Sequence, residues 1–286
     1  MTSTPSISQD LFDRAVALLG ARPTGAIWTT PSSVLGPVSL AGRPGILKVT
    51  GEPEEAHGLA TLARWRLGVT CPIVALATLP TGETAAVMPH ARGTHQATDA
   101  DLVTAANRLH AGLAGAGSEG LVPLEVWLSS LLTANAPRGT AVADAQEIAV
   151  DLLAHPRDQV PLHGDVHHEN LLDFGEPGGP PDLRLIDPKG LFGERGYDFA
   201  NIMFNPQPYV RPTAQAFEAR SRRIAEQAGL DYERYLKWIT VYGTLSALWF
   251  LEDGEQDGHG VHLSEVQLDT IRLAISLLGV GSSEHI

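Results

Sequence analysis

The chain has 286 residues, 43% of them hydrophobic and 19% charged, which supplies a large core and excludes a disordered or low-complexity protein. A formal net charge of −13 excludes a broad phosphate-neutralising surface, so no nucleic-acid partner is expected, and it permits a cationic small-molecule ligand. The single cysteine, Cys71, excludes an internal disulfide framework and any cysteine-based zinc cluster. No apolar run reaches the ~20 residues of a membrane span, and residues 1–10 lack the basic start and apolar stretch of a secretory signal. No membrane partner and a cytoplasmic location are therefore the expectations.

Leu11, Ala15, Leu18 and Leu19 recur at helical spacing and predict a short amphipathic helix over residues 10–20. Between about 26 and 88 the signals are strand-like, with candidates at 46–49, 73–77 and 85–88 and a helix over 54–67 between the first two. Thr81-Gly82 is a turn signal that makes the last two strands a hairpin. After residue 97 helical periodicity takes over, at 99–113, 121–133, 142–153, 214–228, 232–251 and 264–278. A strand-rich third followed by a helical remainder is the α+β pattern. It divides the chain into a strand-rich part over 1–90, a polar linker over 91–97 containing Gly93, and a helical part over 98–286.

The helical part is interrupted once. Residues 170–174 and 182–187 read as short strands, and the Gly- and Pro-rich stretch 175–181 can continue neither, so the chain must turn there. Antiparallel pairing brings the start of one strand beside the end of the other, so Asn170 and Asp187 converge, with Asp165 one loop away. An amide oxygen and a carboxylate at one point suit magnesium, a hard cation that also takes phosphate oxygens. A carboxylate near that metal but not bound to it can orient a hydroxyl and accept its proton. Asp173, three residues past Asn170, reads as a strand or turn residue. His163, His167 and His168 near Asp165 and Asp187 also allow a two-metal hydrolase. The further Asp-x-His, Gly-Asn-His and Gly-His-x-His elements of such sites are absent, and His155, His259 and His262 do not supply them.

The ordered run His163, Gly164, Asp165, His167 and Asn170, H-G-D-x-H-x-x-N, resembles the catalytic core of the aminoglycoside phosphotransferases. The segment from Asp187-Pro-Lys-Gly through Gly193-Glu-Arg-Gly-Tyr-Asp198 to Ala200-Asn201 narrows the resemblance. It points to streptomycin 6-phosphotransferases and related aminoglycoside/hydroxyurea resistance kinases. The resemblance implies a protein-kinase-like two-lobed fold, with a small β-rich N-terminal lobe and a larger helical C-terminal lobe. It implies transfer of the γ-phosphoryl of ATP, with Mg2+, to a hydroxyl of a small cationic molecule such as an aminoglycoside.

In that resemblance Asp165 is the catalytic base and Asn170 and Asp187 are the magnesium ligands. Lys48, otherwise an ordinary solvated strand lysine, positions the phosphates and is steadied by a helix glutamate. Glu55 is the chosen partner because Glu55, Leu59 and Leu62 share one helical face, with Glu54 and Glu52 as alternatives. Met88, Pro89 and Ala91 would hold adenine, through the Pro89 carbonyl and the Ala91 amide. Proline is tolerated there because only its carbonyl is needed. No Gly-x-Gly-x-x-Gly loop precedes Lys48, so Ser32 and Ser33 are the candidates for phosphate contact. His163 and His167 would brace the catalytic loop, and Asp198 would accept hydrogen bonds from its backbone.

Trp249, Glu252 and Asp253 end an aromatic helix in acidic residues. That is either a site for a guanidinium- or amine-bearing ring or a core helix end with a solvated cap. Glu194 is a weaker candidate beside Arg195. The missing activation loop and A-P-E motif argue against protein substrates. A metabolic kinase for a sugar, amino alcohol or hydroxyurea-like compound, or a nucleotide-binding pseudokinase, are the alternatives.

Overall fold

The computed structural model of the chain describes residues 4–206, 212–254 and 259–279. The strand-rich part runs α1 (Thr4–Leu19), β1 (Arg22–Pro23), β2 (Trp28–Thr29), β3 (Ser33–Leu40), β4 (Arg43–Thr50), α2 (Pro53–Trp65), β5 (Ala75–Thr78) and β6 (Thr84–Pro89). It is followed by α3 (Asp99–Gly112), β7 (Val122–Pro123), α4 (Leu124–Trp127), α5 (Ser129–Thr133), α6 (Ala141–Ala154), β8 (Gln159–Leu162), β9 (Leu171–Asp173) and β10 (Leu183–Leu185). The chain ends with β11 (Leu191–Glu194), α7 (Gly196–Ile202), α8 (Ala214–Ala228), α9 (Tyr232–Gly254) and α10 (His259–Leu278). The described residues up to Ala97, with Glu169–Gly190, form one unit; Thr98–His168, with the described residues from Leu191 onward, form the other.

In the first unit an antiparallel sheet has the order β1-β3-β4-β6-β5, with β2 also paired to β3. Side chains on a strand alternate between faces. One face buries Leu47, Val49, Ala85 and Val87 against Phe12 and Ala15 of α1. Ala86 and Met88, on the opposite face, pack with Leu59 of α2 and Cys71, and partly with Phe174 and Ile186. Strand β3 carries no apolar run because Gly36 and Pro37 sit in its middle. Pro37 is tolerated because it falls between the two short partners: β2 pairs with Val34 and Leu35, and β1 with Val38 and Ser39. Gly36 leaves room for the Phe12 ring, 2.8 Å from where a Cβ would stand.

The β9–β10 hairpin pairs Leu171 with Leu185, and the Ile186 amide donates to the Asn170 carbonyl at 2.9 Å. The sequence reading kept this hairpin with the helical part, whereas it groups with the strand-rich one. Cys71 N donates to Leu185 O at 2.8 Å, Leu185 N to Val69 O at 2.9 Å, and Gly93 N to Asp173 O at 2.9 Å. The unpaired groups of a two-stranded ribbon need partners, and residues 69–71 and 93 provide them.

The second unit packs α5, α6, α7, α8 and α10 against α9, with α3 against α7 and α8, and adds a three-stranded sheet in the order β7-β11-β8. Trp238, Tyr197, Tyr235 and Phe199 are among its largest fully buried side chains. Residues 121–133, predicted as one helix, divide into β7, α4 and α5. Val122 precedes a proline and is therefore biased to an extended backbone, which pairs with Leu191 of β11. Helix α1 begins at Thr4 rather than residue 10, with Pro5 at a first-turn position that needs no amide donor. No helix among the described residues is long and apolar enough to cross a membrane.

Asp173 fastens residues 93 and 95 to the hairpin. Its carboxylate accepts Gly175 N at 2.8 Å, Asp182 N at 3.0 Å and His95 N at 3.2 Å, and these donors hold it below the usual carboxylate pKa. A Cβ on Gly93 would stand 1.9 Å from the Asp173 Cγ. Gly93→Ala should therefore expel the carboxylate and destabilise the protein by about 2 kcal/mol, the scale of an overpacked contact. A lowered urea midpoint is the expected reading, and an unchanged one would refute this account.

Candidate active site

Lys48 lies at the centre of β4, paired with Leu35 and Ala86, on the face opposite Leu47 and Val49. It is 5% exposed. A buried ammonium is costly unless anions meet it. Two do so, with Glu55 Oε2 at 2.7 Å and Asp187 Oδ1 at 3.0 Å from its Nζ. Glu55 also accepts the Ser32 hydroxyl at 2.5 Å and the Ser33 hydroxyl at 2.6 Å. Partial burial works against the charged carboxylate, but hydrogen bonds from Lys48, Ser32 and Ser33 outweigh it and hold the Glu55 pKa at about 2. The two serines, expected to touch phosphate, thus donate their hydroxyls to Glu55.

Helix α2 and the residues after Asp187 are closely docked. A Cβ on Gly58 would stand 2.3 Å from the Pro188 carbonyl oxygen, and His57 Nε2 lies 3.1 Å from Gly190 O. Lys189 forms an ion pair with Glu54. Of the three glutamates weighed for Lys48, Glu54 is thus engaged elsewhere, Glu52 is the N-cap residue of α2, and Glu55 meets the lysine. Asp187 has a φ of 51°, in the left-handed region that aspartate tolerates better than most residues. Its side chain is 39% exposed, whereas Asn170 is buried.

A cavity of about 250 Å3 opens beside these groups. Ile46, Met88, Leu172 and Phe174 give it apolar walls, Pro89 and Ala91 lie along its linker edge, and Lys48 and Asp187 line it too. Trp28, 45% exposed on β2, also borders it. Sequence reasoning missed Trp28, since a two-residue strand has no periodicity to read.

In the second unit Asp198 opens α7 and is fully buried. Its carboxylate accepts His163 N at 2.9 Å and Gly164 N at 2.7 Å, and His110 Nε2 lies at 2.8 Å. His163 Nδ1 accepts the Asp165 amide at 3.2 Å. Asn201 Nδ2 donates to Asp165 Oδ1 at 2.9 Å, and His167 Nε2 stands 3.7 Å from the same oxygen. His168 meets Asp99 at 3.3 Å. Burial opposes ionisation of Asp99, but His168 and the two-nitrogen grip of Arg220, at 2.9 and 2.8 Å, hold its pKa well down. His110 and Asp99 carry no motif signal and were missed.

Trp249 meets Trp127 edge-on, with ring centroids 5.6 Å apart. The backbone of Glu252 and Asp253 continues α9, while their side chains lie outside the described residues. Glu194 is not a free anion. It is buried, gripped by Arg234 through two bonds of 2.6 Å, and accepts Trp238 Nε1 at 2.9 Å. Arg195, its neighbour in the chain, instead donates to the carbonyls of Ala228 and Gly229 at 2.8 and 2.9 Å.

The Glu55 pKa has a measurable consequence. A carboxyl held at about 2 against an ordinary 4.5 contributes stability that is complete above pH 4.5 and is lost as pH falls toward 2. Glu55→Gln should remove that part of the acid slope. Urea midpoints recorded across this window in both proteins would show it, and parallel curves would count against it.

Residues 20–254 match the model of the aminoglycoside/hydroxyurea antibiotic resistance kinases. A streptomycin 3''-kinase of Klebsiella pneumoniae is 37% identical over 241 residues, covering 80% of this chain and 88% of that protein. Among solved structures, the chain is similar to the aminoglycoside phosphotransferase APH(4)-Ia in ternary complex with AMP-PNP and hygromycin B. The TM-score is 0.65 at 14% identity, over 96% of this chain and 100% of that one. A choline/ethanolamine kinase family protein from Mesorhizobium loti gives 0.62 at 17% identity, over 93% and 95% of the two chains. Such low identities speak for the fold alone, which is protein-kinase-like and α+β, with an antiparallel sheet in the N-terminal part and helices in the C-terminal part. With its match extending over most of its length, the chain belongs to the aminoglycoside/hydroxyurea antibiotic resistance kinase family and is a phosphotransferase.

Proposed function

We propose that the protein transfers the γ-phosphoryl group of ATP to a hydroxyl of a streptomycin-like aminoglycoside, in the cytoplasm, where ATP is available. The observation that carries this reading is the buried Lys48 held between Glu55 and Asp187 beside an apolar cavity. An apolar wall suits a nucleobase, and a fixed ammonium suits its phosphates. Adenine would lie against Ile46, Met88 and Phe174, with the Pro89 carbonyl accepting from its amine and the Ala91 amide donating to its ring. Residues 1–90, joined by the β9–β10 hairpin, would form the nucleotide-binding lobe, 91–97 the linker and the rest of 98–286 the lobe that carries the catalytic loop and the substrate site. Ser32 and Ser33 are assigned to orienting Glu55 rather than to phosphate.

Asn170 and Asp187 would hold magnesium. The donor set fits: an amide oxygen and a partly exposed carboxylate, both hard oxygen donors, flank the Ile186–Asn170 backbone bond. Held by these two residues, magnesium would supply positive charge to neutralise the transferred group. Asp165 accepts the proton of the acceptor hydroxyl as its oxygen bonds to the γ-phosphorus, and ADP leaves with the electrons of the broken bond. Asp198 and His163 hold the loop that carries Asp165. On the acceptor side the net charge of −13 favours a cationic substrate, and Trp249, Glu252 and Asp253 are assigned to its amines or guanidines. The name of the 37% identical relative supports streptomycin within that class.

Asp165→Asn should leave ATP affinity within about twofold and lower turnover by about 10²–10⁴, the contribution typical of a general base. Undiminished phosphoryl transfer in this variant would remove Asp165 from its role. Substrate class is tested by ADP release with streptomycin, other aminoglycosides, choline-like amino alcohols and simple sugars. Turnover of streptomycin is expected, whereas turnover of amino alcohols alone would replace this reading with a metabolic kinase.

A further inference from the structure

We infer that Asn201 is a positioning residue that orients the Asp165 carboxylate, an assignment that rests on the phosphotransferase reading above. Asn201 lies on α7 and is 1% exposed, and its amide nitrogen donates to Asp165 Oδ1 at 2.9 Å. The two ends of an amide are told apart by their partners. Asn205 Nδ2 donates both to Asn201 Oδ1 at 2.7 Å and to the Asn201 backbone carbonyl at 3.2 Å. The side-chain oxygen of Asn201 is therefore an acceptor, and its NH2 group must face Asp165. Arg220 in turn donates to Ile202 O at 2.7 Å and Asn205 O at 2.6 Å, which holds the turn that carries Asn205.

Asp198 and Asn201 stand three residues apart on one helix, so they share a face. The first holds the backbone of His163 and Gly164, and the second holds the side chain of Asp165. One helix thereby sets both the loop and the plane of the base. The chemistry of the donor matters. A neutral amide stabilises the carboxylate as an acceptor without neutralising it, so Asp165 stays able to take a proton. His167 Nε2, at 3.7 Å from the same oxygen, is beyond hydrogen-bonding distance and does not substitute for it.

The test is a double-mutant cycle on the intact protein, with ATP and streptomycin as substrates. Asn201→Leu keeps the volume and removes the donor. It should lower kcat by about tenfold or more while the KM for ATP stays within about twofold, because only the base loses its alignment. Added to Asp165→Asn, it should lower the residual rate less than about twofold, since it acts through the group already removed. A folded Asn201→Leu with kcat near that of the parent, or losses that multiply in the double variant, overturns the inference. If Asn201→Leu does not fold, Asn205→Ala decides instead: it leaves the Asn201 side chain in place but removes its support, and an unchanged kcat overturns the assignment. Asp165→Asn with parental turnover removes Asp165 from its role as the base, and the inference with it, whereas a parent protein that turns over no aminoglycoside rejects the substrate reading on which the inference rests.

Discussion

A lysine with 5% of its surface exposed is the constraint on which the first unit depends. Its charge can be kept only where anions are brought to it, and they come from two segments distant in the chain: α2 supplies Glu55 and the end of the β9–β10 hairpin supplies Asp187. Much of the surrounding packing serves that meeting. Gly58 lets α2 close on the Pro188 carbonyl, His57 contacts Gly190, and Ser32 and Ser33 hold Glu55 from the strand side. Removing either anion would leave a buried charge short of a partner, a larger penalty than losing an exposed ion pair.

The second unit solves a related problem with a carboxylate. Asp198 is fully buried and accepts two backbone amides of the His163–Gly164 turn, with His110 against the same group. Charge-assisted bonds of this kind are stronger and more directional than neutral ones. They hold a loop whose Gly164 has a φ of 83°, a conformation that glycine adopts without penalty. His168, bonded to Asp99, and Asn201, bonded to Asp165, add side-chain anchors to the same loop.

These two arrangements suit phosphoryl transfer for the same reason. The reaction needs little covalent assistance from the protein and depends on placement and on fixed charges. In the proposed reaction the Lys48 ammonium would meet phosphates and the Asp165 carboxylate would take a hydroxyl proton, and these are the parts that must not move. Both are built on strands or helices or on loops pinned to them, where packing limits their motion.

The amino-acid sequence by itself determined the local patterns. Short strand-like runs located β4 and β6, the Gly- and Pro-rich stretch 175–181 forced the hairpin, and helical spacing placed Glu55 with Leu59 and Leu62. The H-G-D-x-H-x-x-N run was legible for a similar reason, since its residues stand within one short loop. Strand β3 was not, because Gly36 and Pro37 conceal it and only its pairing with β2, β4 and β1 makes it a strand. Partner choice was likewise decided by the tertiary structure alone. Glu194 meets Arg234, 40 residues away, rather than the adjacent Arg195, and Asn201 reaches Asp165 across 36 residues. The physical reason is that backbone preference and burial pattern act over neighbouring positions. The satisfaction of a buried polar group instead depends on whichever donor or acceptor packing delivers to it.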